Sequence, residues 1–232
     1  MKFMMTLQGD APVDEIDAHL AALHATVLGA ERLEPDVATL SATGDEPPVL
    51  ERAGSQLRAV WLLDVESKAA AVELARSAPG DDGTLEIRES YTPQDFGAPA
   101  DAPPPPPPPP VKPGHERYIA FIRQDVVGEM GSPPLDKMAM MDTYMEPLAA
   151  AGTLLGGHGL KPSAKGTRVR RSKSQRYVLD GPFAETKELV GGYLIVQARS
   201  LDEAVDLIRP WLQIHRTAPR VPFSAIEVRR LT

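Results

Sequence analysis

The chain contains no cysteine, so disulfide bonds, thiol nucleophiles and thiolate metal ligands are all excluded. It also has no apolar run near the ~20 residues that a membrane span needs, and the apolar run within its first ten residues is too short for a signal peptide. Neither metal-ligand spacing, nor a phosphate-binding loop, nor a nucleophile elbow occurs in the sequence. We therefore expect a cytoplasmic protein that works without a cofactor and without a membrane.

Positive charge is scarce in the first part of the chain. Residues 1–102 hold 7 Lys and Arg against 19 Asp and Glu, whereas residues 103–232 hold 18 against 13. Two oppositely charged parts of one chain attract each other. The net charge of −7 thus conceals an acidic part and a mildly basic part that are expected to lie in contact.

A proline tract separates these parts. Residues 98–114 include eight consecutive prolines, Pro103–Pro110, which favour a stiff type II helix at ~3.1 Å per residue. We interpret this segment as a spacer rather than a ligand for SH3-like modules. The predicted domains are residues 1–97 and residues 115–232.

The same order of elements, β-α-β-β-α-β, is predicted on both sides of the spacer. In the first module, the spacing of Ile16, Leu20, Leu23 and Val27 predicts one helix. In the second, Thr153–Leu160 and Thr167–Leu179 are predicted to form a hairpin. The strongest match between the modules is Leu85-Glu-Ile-Arg88 with Ile226-Glu-Val-Arg229, which favours a diverged internal repeat.

The most distinctive stretch is Asp180-Gly-Pro-Phe-Ala-Glu-Thr-Lys-Glu188. Gly181 and Pro182 are turn residues, so the strand before them is predicted to end with Asp180 at its end. Residues Ala184–Leu189 favour a short helix.

This stretch, DGPFAETKE followed by GGY, resembles the signature of the DGPF branch of the YCII-related proteins. The segments AAGTLLGGHGLKP at residues 150–162 and IEVR at residues 226–229 fit the same family. The resemblance covers Arg117–Leu231 closely and the first hundred residues weakly. It implies an α+β fold of two tandem ferredoxin-like domains, the first degenerate, of the type that pairs into a dimeric α+β barrel.

Two assemblies follow from the resemblance. The tandem copies can pair face to face within one chain as an intramolecular pseudodimer, or like copies can pair between chains as a homodimer. The sequence leaves both open.

Asp180 is the first candidate for chemistry. Held at a strand end in a cleft, its carboxylate would have a raised pKa and act as a general acid or base. Alternatively, Asp180 only bonds the backbone of its own turn.

Two histidines are further candidates. His158 lies among glycines that let backbone approach a ligand, and its side chain titrates near neutrality. Related YCII proteins are thought to pair an Asp with a His on the first helix; in this chain Met141 takes that position, while His19 matches it in the first module. Each histidine alone is also compatible with a purely structural role.

The remaining candidates would bind a substrate. Phe183 and Tyr193 are suited to line a pocket for a flat small molecule, or else to pack in a core. Glu185 would supply a second carboxylate and Lys187 would bind an anion, or both are solvated. The basic segment Lys161–Arg176 lacks interleaved aromatic residues, so we expect a solvated or docked hairpin and not a nucleic-acid site.

Two functions remain open, and the sequence does not decide whether the chain is an enzyme. The first is cofactor-independent acid–base chemistry on a small polar or aromatic molecule, with Asp180 as the central group. The second is a non-catalytic ligand-binding or regulatory module, which the family's frequent genomic neighbourhood with extracytoplasmic-function sigma factors implies.

Overall fold

The computed structural model describes all residues except 24, 44–45, 53, 104–105, 125–134, 174, 184–188 and 217–222. Residues before the proline tract form five strands and two helices among the described residues. In chain order these are β1 (Lys2–Gln8), α1 (Val13–Ala22), β2 (Thr26–Thr43), β3 (Val49–Arg52), β4 (Leu57–Asp64), α2 (Lys68–Ser77) and β5 (Asp82–Glu89).

The described residues after the proline tract form six strands and two helices. These are β6 (Glu116–Gln124), α3 (Leu135–Ala150), β7 (Leu154–Gly159), β8 (Thr167–Ser172), β9 (Gln175–Asp180), β10 (Leu189–Ala198), α4 (Leu201–Arg216) and β11 (Phe223–Leu231). Short 3-10 turns lie at Pro93–Phe96 and Ser163–Lys165.

The parts of the chain before and after the proline tract are its first and second halves. Local sequence explains how the second helix of each half, α2 and α4, begins. The Ser67 hydroxyl accepts a hydrogen bond from the Ala70 amide at 3.1 Å, and the Ser200 hydroxyl accepts one from the Glu203 amide at 3.1 Å. Each bond satisfies a donor that the first helical turn leaves unpaired. These caps set the residues at which α2 and α4 begin.

All strands pair antiparallel in one sheet, in the order β7-β10-β6-β11-β2-β4-β1-β5-β8-β9, with β3 attached to β2. The two halves exchange strands. The first part of β2 pairs with β4, whereas its continuation pairs with β11 of the other half. In return, β8 pairs with β5. Each half thus adds a hairpin, β2–β3 or β8–β9, to the last strand of the other.

Two sequence predictions were wrong in detail. The helix predicted through Val27 ends before Leu23, because Val27 pairs with Leu63 in the sheet. The strand predicted over Thr167–Leu179 is interrupted at Lys173, whose positive φ of 54° turns the chain back. Strand β8 therefore forms its hairpin with β9, and β7 pairs with β10 instead.

The sheet is packed on both faces. One core cluster packs beneath α1 and α2 around Trp61, and a second packs beneath α3 and α4 around Trp211. A third cluster, on the face without helices, combines both halves: Met4, Leu33, Leu57, Val60, Ile119, Phe121, Leu160, Val190, Tyr193 and Leu231. A bridge from Ser90 to Leu160 also joins the two halves.

These features define a mixed α and β fold in which a curled antiparallel sheet carries four helices, and this fold is compatible with an α+β barrel. The third cluster occupies the concave face. Charged and polar groups at the margins of that face and at the sheet ends are the groups available for function.

Candidate functional site

Asp180 ends strand β9, as the turn residues predict. Its Oδ1 atom accepts a hydrogen bond from the Thr167 hydroxyl at 2.5 Å and another from Lys68 Nζ at 3.2 Å. The hydrogen bond from Thr167 is the main reason why the pKa of Asp180 lies below its usual value, and Lys68 lowers that pKa further. With its side chain 71% exposed, Asp180 is an ionised surface carboxylate with a structural partner on each half.

The next residues of the motif are held by close packing. The Gly181 amide donates to the Gly166 carbonyl at 3.1 Å, and a Cβ atom added to Gly181 would lie 1.8 Å from the Ser163 carbonyl oxygen. Phe183 is buried, and the Arg168 guanidinium lies 4.1 Å from its ring centroid. The motif thus presses against residues 163–168.

Arg168 connects the motif to the first half of the chain. Its Nε donates to Glu86 Oε2 on β5 at 2.7 Å. Glu86 is buried and also accepts from Arg88 at 3.2 Å. Together with the Lys68 contact, these bonds make the motif part of the junction between the halves, and they dock the basic segment on the acidic half as predicted.

His158 and Tyr193 lie together, on β7 and β10. They are direct cross-strand partners, and their ring centroids are 6.1 Å apart. Partial burial lowers the pKa of His158, and the Lys2 ammonium lowers it further. The pKa of Tyr193 is raised by burial. Both rings are therefore uncharged at neutral pH, suited to packing or to neutral hydrogen bonds.

His19 lies elsewhere, on α1. Its Nε2 is 3.0 Å from the hydroxyl of Ser77, the last residue of α2. Asp180 instead contacts Lys68, the first residue of the same helix. A helix of this length spans ~14 Å, so the structure does not bring His19 and Asp180 together.

Glu185 and Lys187 lie outside the described residues, as does most of the helix predicted over Ala184–Leu189. Leu189 itself belongs to strand β10 and not to a helix. Within the described part of the chain, the partners found for Asp180 are Thr167 and Lys68, and neither is a histidine.

An open groove of about 410 Å³ lies beside the ends of the central strands β1 and β11 and the start of β4, and it does not include these residues. Its wall combines Arg32 and Arg58 with Asp10 and Glu34, and apolar contacts come from Ala11, Val13, Leu33 and Pro35. Arg58 pairs with Asp10 at 3.3 Å. A groove of this size fits a small molecule, and its charges are of both signs.

Comparison with known proteins agrees with the motif. Residues 118–211 match the model of the YCII-related domain. These residues are similar to that domain, and we call this part of the chain the YCII-related domain. It is also 39% identical over 74 residues to an uncharacterized protein of Rhizobium meliloti, a match that covers 32% of this chain and 56% of that protein. The chain thus spans about half the length of this curated relative.

Buried charges that sequence reasoning missed join the two halves of the chain. Arg229 on β11 is fully buried, and it donates to the Leu33 carbonyl at 3.0 Å and the Leu57 carbonyl at 2.5 Å. In the reverse direction, Arg88 on β5 donates to the Lys161 carbonyl at 2.7 Å. The signal in the sequence is the Glu-x-Arg pattern that both closing strands share, Glu86 to Arg88 and Glu227 to Arg229.

No cluster of three or more metal-ligating side chains occurs in the described part of the YCII-related domain or of the first half. The helices that the structure describes are all too short or too polar to cross a membrane.

Proposed function

We propose that the chain is a non-catalytic ligand-binding module and not an acid–base enzyme centred on Asp180. The observation that carries this proposal is the setting of Asp180, which is exposed, bonded to Thr167 and Lys68, and kept ionised by a lowered pKa. A general acid needs a raised pKa and a partner in a cleft. In this proposal the DGPF motif fastens the hairpin β8–β9 to the first half.

We further propose that the first half is a degenerate copy of the YCII-related domain and pairs with it as an intramolecular pseudodimer. The strand order supports this, since β2-β4-β1-β5 in the first half corresponds to β7-β10-β6-β11 in the second. The exchanged hairpins and the reciprocal contacts of Arg88 and Arg229 obey the same symmetry.

The open groove is the ligand site in this proposal. In this proposal Arg32 and Arg58 exchange their present partners, Asp14 and Asp10, for a ligand carboxylate, whereas Asp10 and Glu34 accept from a cationic group. A small zwitterion of the amino acid class matches both, and Val13 and Leu33 supply contact for its apolar part.

The test is a binding measurement by calorimetry with the full chain and the free amino acids, with acetate and butylamine as single-charge controls. We expect some amino acids to bind and both controls to bind at least ~10-fold more weakly, because each satisfies only half of the charges. Arg58→Gln should weaken binding, whereas Arg52→Gln, at an exposed arginine of β3, should not.

Asp180→Asn separates the two functions. In the proposed module this variant binds ligand like the wild-type chain but unfolds at lower temperature, because it loses its ionic contact with Lys68. If no amino acid binds to the full chain, the groove proposal fails. If the wild-type chain turns over a substrate and Asp180→Asn does not, Asp180 is catalytic. A sigma-factor partner stays a prediction.

A further inference from the structure

Strand β9 is an edge of the sheet. It is the last strand in the order, and β8 is its partner among the described residues. Three consecutive large apolar residues on it are exposed: Tyr177 at 47%, Val178 at 45% and Leu179 at 56%. An edge strand with such a run is a template for pairing with another chain unless something covers it.

The sequence of β9 is complementary to itself. In an antiparallel pair of two copies centred on Val178, the two Val178 residues lie opposite each other, and Tyr177 faces the partner's Leu179. Arg176 then faces the partner's Asp180. Pairs of β-branched, apolar and oppositely charged residues are those that stabilise antiparallel strands. A register shifted by one residue would lose this match.

The charges of β9 are available for this pairing. Arg176 donates to the backbone carbonyls of Lys173, Gln175 and Gly80, and within the described part of the chain it has no carboxylate partner. Among the described residues, Asp180 receives its two hydrogen bonds at Oδ1, and Oδ2 has no partner there, so Oδ2 can bind a partner from outside.

Strand β3, a second edge with exposed apolar residues, lacks this property. Strand β3 pairs only with β2 among the described strands, and its Val49 and Leu50 are exposed at 55% and 41%. Paired with itself, the sequence Val49-Leu50-Glu51-Arg52 would place apolar residues opposite charged ones. Its edge is therefore a natural control for β9.

We propose that the protein forms a homodimer through antiparallel pairing of the two β9 strands about Val178. The dimer extends the sheet from one copy into the next. It differs from a dimer of like halves, because β5 and β11, the strands that close each half, already have partners within the chain. The inference does not depend on the function proposed above.

The absence of cysteine allows a direct test with single-cysteine variants of the full chain. In the dimer, Val178→Cys places two thiols across the two-fold axis, with Cβ atoms ~4.5–5.5 Å apart, close to disulfide geometry. Under mild oxidation we expect it to form covalent dimers at least ~10-fold faster than Val49→Cys, a control of similar exposure on the β3 edge.

A measurement of molar mass by light scattering is the second test of the dimer. The wild-type chain should have the mass of two chains, and Val178→Lys should have the mass of one, because it sets two like charges opposite each other. Val178 is half exposed, so circular dichroism should show an unchanged fold. A monomeric wild type at ~100 µM, equal cross-linking of the two cysteine variants, or a Val178→Lys dimer would each overturn the proposal.

Discussion

Gly181 occupies a position that no larger residue fits. A Cβ atom there would lie 1.8 Å from the Ser163 carbonyl oxygen, a backbone atom that cannot move aside without shifting the turn at residues 163–165. The glycine thus lets the motif approach the backbone beneath it. Its role is steric, and it belongs to the junction rather than to a reaction.

Gly181→Ala is therefore expected to destabilise the protein by about 1–3 kcal/mol, the usual cost of overpacking. Gly156→Ala is the matched control, since a Cβ atom at Gly156 meets nothing within 4 Å, and its effect should stay within ~0.5 kcal/mol. Urea titration monitored by circular dichroism measures both. Equal stability of the two variants would contradict the steric role.

His215 is a second residue with a clear physical signature. It is buried on α4 against Trp211, with ring centroids 5.4 Å apart, and its Nε2 finds no hydrogen-bond partner among the described residues. Burial lowers its pKa to about 3, and the nearby Lys137 ammonium adds to that shift. The folded state therefore keeps His215 neutral where an unfolded chain would protonate it.

This difference predicts a loss of stability in acid. Below pH ~6.5 His215 binds a proton in the unfolded state but stays neutral in the folded state. The free energy of unfolding therefore falls as the pH falls, by roughly 2–3 kcal/mol at pH ~4.5. His215→Phe should remove this part of the slope, whereas His115→Phe, at a histidine outside the core, should keep it. Urea midpoints between pH 7 and pH 4.5 measure the effect, and an unchanged slope in His215→Phe would disprove it.

At the scale of elements, each of the closing strands β5 and β11 carries a buried arginine that binds backbone carbonyls of the other half. Arg229 on β11 donates to carbonyls of β2 and β4, and it lies 3.6 Å from Glu227. Glu227 in turn accepts from Arg123 on β6 at 2.9 Å. Removing one member of such a network leaves buried polar groups without partners.

Arg229→Met is expected to cost about 3–5 kcal/mol, because three backbone carbonyls lose their donor in a buried setting. The neighbouring Arg230→Met is the matched control. Arg230 is partly exposed and pairs with Glu116 at the surface, so its loss should change stability little. Chemical denaturation compares the two variants, and similar midpoints would show that Arg229 does not stabilise the contact between the halves.

At the scale of the molecule, the exchanged hairpins couple the two halves. Each half buries one tryptophan beneath its helices, Trp61 in the first and Trp211 in the second. The third cluster contains residues of both halves and cannot form from one alone. The halves should therefore unfold together.

Single-tryptophan variants test this coupling. Trp61→Phe leaves Trp211 as the reporter of the second half, and Trp211→Phe leaves Trp61 as the reporter of the first. In each variant we expect the fluorescence and circular dichroism transitions in urea to coincide. A fluorescence transition at a lower urea concentration than the circular dichroism transition would show that the halves unfold independently.

Much of this architecture was predictable from local patterns. Helix α2, the cap at Ser200 and the end of β9 at Asp180 follow from short-range signals, because capping, turn chemistry and apolar periodicity act over a few residues. The YCII-related domain was indicated by the resemblance of the DGPFAETKE motif. A functional role for His158 and Tyr193 stays a prediction.

The pairing of strands was decided only in the tertiary structure. Nothing local in Thr26–Thr43 indicates a single strand that serves both halves, since its continuation pairs on one side with β11, almost two hundred residues later. The same holds for Asp180, whose exposure and contact with Lys68 depend on where α2 lies. The sequence by itself determined the elements and the motif, and long-range packing determined which groups became buried, paired or free to bind.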